Sequence, residues 1–158
     1  MALWRLYYHL VWATKERQPF ITTKVETDVY AYIAGKIEAN ECLLHALNCM
    51  PDHLHLVVSI SPKIAIADFV KNIKGSSAYH ITHKLPNPIA NFSWQRGYGV
   101  FSFGQSQLEI VVNYVQNQKT HHSEGKTITY LERESEQENK PTAWKEQPTQ
   151  PHIVIPKS

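Results

Sequence analysis

The chain has 158 residues, 42% of them hydrophobic and 11% aromatic, which suits one compact core better than two domains. Its formal charge of +2 permits a polyanionic partner but does not require one. Residues 7–12 form an apolar stretch that is interrupted by His9 and is too short for the core of a secretory signal. No other stretch approaches the roughly 20 apolar residues of a membrane span. We therefore expect a cytoplasmic protein that does not enter a membrane.

The N-terminal part predicts a strand followed by a helix. Aromatic and β-branched residues alternate in part over residues 6–12, which is typical of a strand. The segment Thr23-Lys24-Val25-Glu26 fits a capping box and places the start of a helix at Thr23. This helix has a core-facing stripe that recurs every four residues up to Asn40: Val25, Val29, Ile33 and Ile37.

Two apolar runs, residues 42–49 and 53–60, follow in close succession. Only three residues join them, and so short a connection predicts an antiparallel hairpin. Cys42 and Cys49 lie seven positions apart on the first strand, so alternation predicts that they point to opposite faces. Thiols in that arrangement cannot easily bridge, and we expect both to be buried and reduced.

The second half of the chain predicts a helix, a strand and another helix. An apolar stripe from Ile66 to Ile73 marks an amphipathic helix that continues toward His83. Segments 92–95 and 100–103, separated by two glycines, suggest a strand with a kink or bulge. A second capping box, residues 106–109, opens a helix that runs to about His121, with this apolar stripe: Leu108, Val111, Val112 and Val115.

The order β-α-β-β-α-β-α is the split pattern of a ferredoxin-like α+β domain. Such a domain has an antiparallel sheet with helices on one face, and here an extra C-terminal helix follows. We assign residues 1–122 to this domain and expect the other face of its sheet to be open. Residues 123–158 are polar and rich in Glu, Gln, Thr and Pro, which predicts an extended or disordered tail.

Two histidines of the second hairpin strand are candidate metal ligands. On a strand, His53 and His55 share one face at a spacing of about 7 Å, while Leu54 and Leu56 fill the other. Two neutral imidazoles at that distance can converge on one cation, with Asp52 available as a ligand or as a partner of a ligand. The alternative is a pair of surface histidines on an open sheet face.

The last helix carries a candidate nucleophile. Tyr114 and Gln118 are four residues apart and so lie on one helix face. A phenol has a pKa near 10 and needs a metal or a base to act as a nucleophile at neutral pH. The Gln118 oxygen would complete a mixed nitrogen and oxygen set that suits Mn²⁺ or Mg²⁺. The alternative is a tyrosine packed at a helix-sheet seam beside a solvated glutamine.

Taken in order, these motifs resemble the single-tyrosine HUH transposases, which are named for a His-hydrophobic-His motif and a downstream tyrosine. The resemblance extends to about His122, and the chain departs from the usual family pattern beyond that point. Five segments carry it: His9-Leu10-Val11-Trp12 and residues 48–55, 69–75, 92–102 and 113–118.

The resemblance implies a transposase that cleaves and rejoins single-stranded DNA with hairpin ends by transesterification. Tyr114 would attack a phosphodiester to form a 5′-phosphotyrosine link, and a Mg²⁺ or Mn²⁺ ion would be held by His53, His55 and Gln118. The family acts as homodimers in which the tyrosine helix of one subunit usually completes the histidine site of the other, so we expect a homodimer with that exchange possible.

Five further residues are candidate DNA contacts. Lys71 and Lys74 lie three apart on the second helix and could hold a DNA backbone. Arg96 could contact phosphate, and the rings of Trp94 and Tyr98 could stack on bases.

Two other functions remain open at this point. One is a ferredoxin-like module that binds single-stranded nucleic acid and has lost cleavage. The other is a metal-dependent hydrolase that activates water and does not need Tyr114.

Overall fold

The computed structural model describes residues 2–119, which form a four-stranded antiparallel sheet with α-helices on both faces. The strands are β1 Tyr7–Ala13, β2 Leu43–Met50, β3 His53–Ser59 and β4 Gly99–Phe103, and the helices are α1 Thr23–Ala39, α2 Ile66–His83 and α3 Leu108–Gln116. The strand order β2-β3-β1-β4 confirms the ferredoxin-like prediction. In this described part no helix is long and apolar enough to cross a membrane. The predicted tail, residues 123–158, lies outside it.

One face of the sheet carries the main hydrophobic core. Leu54, Leu56 and Val58 of β3 point to this face and are fully buried, because side chains of one parity share a face of a strand. α1 and α2 cover them with the residues that the helical stripes predicted: Val29, Ile33, Ile37, Phe69, Val70 and Ile73. The two amphipathic helices and the hairpin are therefore confirmed.

The other face of the sheet is partly covered by α3. Val111 and Val115 of this helix form a second buried cluster with Ala46 of β2 and Val57 of β3. The sequence predicted an open face here, because the periodicity of α3 identifies its apolar side but not the surface that it packs on. This face is therefore half enclosed.

Neither predicted capping box forms. Thr22, not Thr23, is the N-cap of α1, and its side chain makes no capping hydrogen bond. The segment before α3 instead forms a short 3-10 turn, Gln105–Gln107, and the helix starts only at Leu108. α3 is regular from Leu108 to Gln116, and Asn117 departs from the helical conformation with a φ of −100° and a ψ of 19°. The predicted end of the helix near His121 lies outside the described residues.

The segment 92–95 is not part of a strand with a kink, as the sequence suggested. It meets the sheet only through an isolated bridge between Trp94 and Thr14, and β4 begins at Gly99. Trp94 is buried in the main core, where its Nε1 donates to the Ser77 hydroxyl at 2.9 Å. Burial of this indole sets the path of the segment more strongly than strand pairing does.

Cys42 and Cys49 are both free and buried, as predicted, but they do not point to opposite faces. Both belong to the main core cluster. The pairing of β2 with β3 is irregular between Leu44 and Ala46, so one extra residue shifts the alternation of the strand. This bulge returns both thiols to the same side of the sheet.

Candidate functional site

His53 and His55 lie on the face of β3 that is turned toward α3. They are 4% and 0% exposed, which contradicts the alternative of two surface histidines. Their ring centroids are 5.2 Å apart with the planes at 71°. The two imidazoles are therefore close and inclined to each other in a sheltered position.

Tyr114 of α3 lies over the same histidines within the one chain. Its ring is T-shaped against that of His55, with centroids 6.4 Å apart and an interplanar angle of 78°. The Tyr114 side chain is buried between α3 and the sheet. The helix thus brings a phenol to the histidine pair from a position 59 residues later in the sequence than His55.

Gln118 is fully buried, which contradicts the alternative of a solvated glutamine. Neither its Oε1 nor its Nε2 has a hydrogen-bond partner among the residues that the structure describes. A buried polar group without a partner costs roughly 1–3 kcal/mol, so such an amide is rare unless something else uses it. A cation bound through Oε1 would relieve part of this cost.

Imidazole nitrogens and a carboxamide oxygen are both donors that a divalent metal ion can use. Within residues 2–119 no group of three His, Cys, Asp or Glu side chains is arranged to hold a metal ion. A site with three protein ligands would therefore need Gln118 as well as His53 and His55.

Asp52 holds the ring of His53. Its Oδ1 is 2.7 Å from His53 Nδ1, and its Oδ2 accepts from Arg17 Nη1 at 3.2 Å. The hydrogen bond from His53, followed by the help of Arg17, lowers the pKa of Asp52 to about 2, so this carboxylate is ionised and can only accept. His53 Nδ1 must then carry the proton, and the 3.5 Å approach of Arg17 to that nitrogen is too long for a good hydrogen bond. In the neutral form of His53 the lone pair is then on Nε2.

His9 of β1 holds the ring of His55. Its Nε2 lies 2.9 Å from His55 Nδ1, and both residues are fully buried. The ring centroids are 5.1 Å apart and the planes differ by 15°, which fits two rings joined edge to edge in nearly one plane better than a face-to-face stack. Each candidate ligand histidine thus has its Nδ1 occupied by a different partner.

Asn48 of β2 secures the C-terminal end of α3. Its Nδ2 donates to the carbonyls of Val115 at 3.0 Å and Gln116 at 3.2 Å, which are among the last carbonyls that a helix leaves unpaired. Tyr30 of α1 orients this amide by donating its hydroxyl to Oδ1 at 2.7 Å. We call Asn48 and Tyr30 the helix clamp.

An ion pair acts beside the helix clamp. Lys119 Nζ lies 3.0 Å from Glu26 Oε2, and the lysine is half exposed. Glu26 was expected in a capping box, but here it joins α1 to the chain just beyond α3. The end of the tyrosine helix is therefore attached to its own chain at two points.

Sequence reasoning missed the roles of His9, Arg17 and Asn48. His9 had one local signal, since it interrupts a strand whose other residues are mostly apolar. Asn48 had a similar signal as an amide within a core strand. Arg17 gave none, because it reaches Asp52 through a turn in which both Glu16 and Arg17 have positive φ.

The expected DNA contacts divide into two groups. Lys71 and Arg96 are exposed and stay candidates. Trp94 is buried with T-shaped contacts to other core rings, which contradicts base stacking. Lys74 donates to the carbonyls of Gln95 at 2.7 Å and Gly97 at 2.8 Å. Its ammonium group therefore stabilises this loop rather than binding a DNA phosphate. Tyr98 is half-buried and packs against the core.

Comparisons with known proteins agree with this fold. The sequence model of the family described as "Transposase IS200 like" matches residues 2–118. The ISDra2 transposase TnpA of Deinococcus radiodurans is 27% identical over 120 residues, which cover 73% of this chain and 86% of that relative. The transposase for insertion sequence element IS200 of Salmonella typhimurium is 24% identical over 119 residues, or 73% and 78% of the two chains.

Two solved structures are similar as well. A crystal structure from Deinococcus radiodurans, assigned as a transposase, has a TM-score of 0.59 and 30% identity over 74% of this chain and 93% of the other. A REP-associated tyrosine transposase bound to a REP hairpin has a TM-score of 0.59 at 14% identity, over 80% and 76% of the two chains, which is a likeness of fold.

The fold and the match over nearly all described residues define a transposase. This chain belongs to the IS200-like transposase family. Membership of that family implies an enzyme that cuts and rejoins DNA.

Proposed function

We propose that this protein cleaves and rejoins single-stranded DNA through a 5′-phosphotyrosine intermediate formed on Tyr114. The observation that carries the proposal is the burial of Tyr114 against His55, whose own Nδ1 is already occupied by His9. His53, His55 and Gln118 would hold Mg²⁺ or Mn²⁺. When bound, the ion would polarise the scissile phosphate and offset the negative charge that develops on it.

The step balances without an external energy source. The Tyr114 oxygen forms a bond to phosphorus as the bond from phosphorus to the 3′-oxygen breaks. The phenol loses one proton and the departing 3′-oxygen takes one up. Because the new phosphotyrosine is also a phosphodiester, the 3′-hydroxyl of another strand can reverse the step and rejoin DNA without ATP.

Residues of this chain would prepare that step by positioning. Asp52 and His9 hold the two imidazoles, and the helix clamp fixes the end of α3 so that Tyr114 stays over His55. A sheltered site also delays water, which would otherwise hydrolyse the intermediate.

We propose single-stranded DNA with hairpin ends as the substrate. The REP-associated tyrosine transposase of similar fold is bound to a REP hairpin, which supports a substrate of this kind. Lys71 and Arg96, both exposed, supply positive charge for it. An enzyme that acts on its host's DNA has to share a compartment with that DNA, which agrees with the cytoplasmic location expected from the sequence.

The test is a covalent adduct between protein and DNA. The protein is incubated with single-stranded hairpin DNA and Mn²⁺ or Mg²⁺, and the products are separated on a denaturing gel. We expect a retarded species that is absent in Tyr114→Phe and present in Tyr79→Phe, since Tyr79 is an exposed tyrosine of α2. An adduct that persists in Tyr114→Phe would contradict the assignment of the nucleophile.

The same variants separate the other two functions. A metal-dependent hydrolase would still cut the DNA in Tyr114→Phe. A module that only binds nucleic acid would shift the DNA on a native gel and form no adduct with any variant. The comparisons with transposases do not favour a module that only binds nucleic acid.

A further inference from the structure

His9 lies at the centre of the sheet, directly behind one candidate metal ligand. It faces Val57 of β3 in the strand register, and its ring centroid is 6.1 Å from that of Phe101 on β4. Its Nε2 is 2.9 Å from Nδ1 of His55. A polar side chain that is fully buried in a strand needs a hydrogen-bonding role, and this contact supplies one.

The proton in this contact decides what His55 can do. A neutral imidazole carries one proton, so either His55 Nδ1 donates to His9 Nε2 or the reverse holds. If His55 donates, its Nε2 keeps a lone pair and can bind a metal. If His9 donates, the proton of His55 sits on Nε2 and blocks that atom.

We propose that His9 is a positioning residue that accepts the Nδ1 proton of His55, and so presents His55 Nε2 as a metal ligand in a fixed orientation. The inference rests on the proposed metal site. His9 itself is not a ligand, because its Nε2 is hydrogen-bonded to His55 Nδ1. The atom of His55 that would bind the metal, Nε2, is on the opposite side of that ring.

The choice of acceptor follows from burial. His53 is held by a carboxylate, Asp52, which is 30% exposed and paired with Arg17. A carboxylate at position 9 would be fully buried, and an uncompensated buried charge is very costly. A second neutral imidazole accepts the same proton without burying a charge, and its own proton is then on Nδ1.

The first test reads the tautomer of His55 in metal-free protein. Long-range proton-nitrogen NMR spectra of the full chain distinguish the two imidazole tautomers, and the His55 signals are identified as those lost in His55→Gln. We expect the Nδ1-protonated form in the wild type and a shift toward the Nε2-protonated form in His9→Phe. An Nε2-protonated His55 in the wild type overturns the proposal, whether or not any variant folds.

The second test measures Mn²⁺ affinity from the resonance signal of the free ion. Loss of the partner that orients a ligand histidine typically weakens metal binding by about 10–100-fold, which we expect for His9→Phe. His9→Gln keeps an acceptor near the position of Nε2 and should restore most of the affinity. His45→Phe is the matched control, since His45 lies on the same sheet and contacts Ser59 and Tyr7 rather than the candidate ligands.

The outcomes separate this inference from the proposed function. Unchanged tautomer and unchanged Mn²⁺ affinity in folded His9→Phe would refute the role of His9 even if the DNA adduct forms. The expected tautomer together with weakened Mn²⁺ binding would support it even if no adduct is seen. Equal losses in His9→Gln and His9→Phe would contradict a role as acceptor.

Discussion

Asn48 of β2 donates its side-chain amide to the backbone carbonyl of Val115, the residue that follows the candidate nucleophile. The two residues are 67 positions apart, and Asn48 faces His55 directly in the strand register. The Asn48 side chain therefore connects the part of the sheet that carries His55 with α3, the helix that carries Tyr114. We therefore expect this contact to help hold Tyr114 in place.

Replacing Asn48 should weaken both stability and activity. Asn48→Ala removes the side-chain donor to two helix carbonyls and the acceptor of the Tyr30 hydroxyl proton, which should lower the free energy of unfolding by about 1–3 kcal/mol. We expect slower adduct formation as well, because the end of α3 is released. Urea denaturation and the adduct assay measure these effects. Asn91→Ala, at an exposed loop position, is the control, and equal behaviour of the two variants would argue against the helix clamp.

The structure predicts that each chain uses its own tyrosine. Tyr114→Phe and His55→Ala are each expected to be inactive, and a mixture of them should stay inactive because no chain then has both groups. An exchange of helices between subunits of a homodimer would instead restore adduct formation in the mixture. Measuring the mass of the protein in solution shows whether a dimer is present during the assay.

Gln118 should lower the stability of the metal-free protein and increase its affinity for a metal ion. Gln118→Leu removes a buried amide whose two polar atoms lack partners in the described structure, so the metal-free protein should become more stable by about 1 kcal/mol or more. The same variant should bind Mn²⁺ more weakly and form less adduct. Thermal unfolding in a chelator and Mn²⁺ titration test this, with Gln116→Leu at an exposed position as the control. A destabilised Gln118→Leu would show that the amide has a structural role.

Trp94 should matter for the fold and not for DNA contact. Trp94→Phe leaves the buried Ser77 hydroxyl without its donor and should cost about 1 kcal/mol or more of stability. At low temperature the folded variant should bind single-stranded DNA like the wild type. Lys71→Ala and Arg96→Ala should do the opposite, with normal unfolding and weaker, less salt-dependent DNA binding. Fluorescence anisotropy over a range of salt concentrations distinguishes the two groups.

Asp52 should stabilise the fold near neutral pH and lose that contribution in acid. Its pKa is lowered from 3.8 to about 2, mainly by the hydrogen bond from His53, so the folded protein favours the ionised form. The contribution is fully present above the unfolded value of 3.8 and is lost as the pH falls toward 2. Asp52→Asn should therefore lose less stability than the wild type across this window. Urea denaturation at a series of pH values measures it, and parallel curves for the two proteins would contradict the prediction.

The sequence predicted most of the fold from local patterns. The stripe of α1, the stripe of α2 and the alternation of β3 are confirmed, since each depends on residues only a few positions apart. The first capping box does not form because the N-cap is Thr22, which places Val25 rather than Glu26 at the third helical position. The second does not form because a 3-10 turn occupies residues 105–107, before α3. The faces of Cys42 and Cys49 were wrong because a bulge changes parity and leaves no mark in the pattern of hydrophobic residues.

The sequence by itself determined that His53 and His55 share a strand face and that Tyr114 lies on an amphipathic helix. Only the tertiary structure decided that α3 covers that same face, that His9 is hydrogen-bonded to His55, and that Asn48 is hydrogen-bonded to the end of α3. The physical reason is the range of each contact. Periodicity records which side of an element is apolar, whereas strand register and helix packing decide which distant side chains share a hydrogen bond.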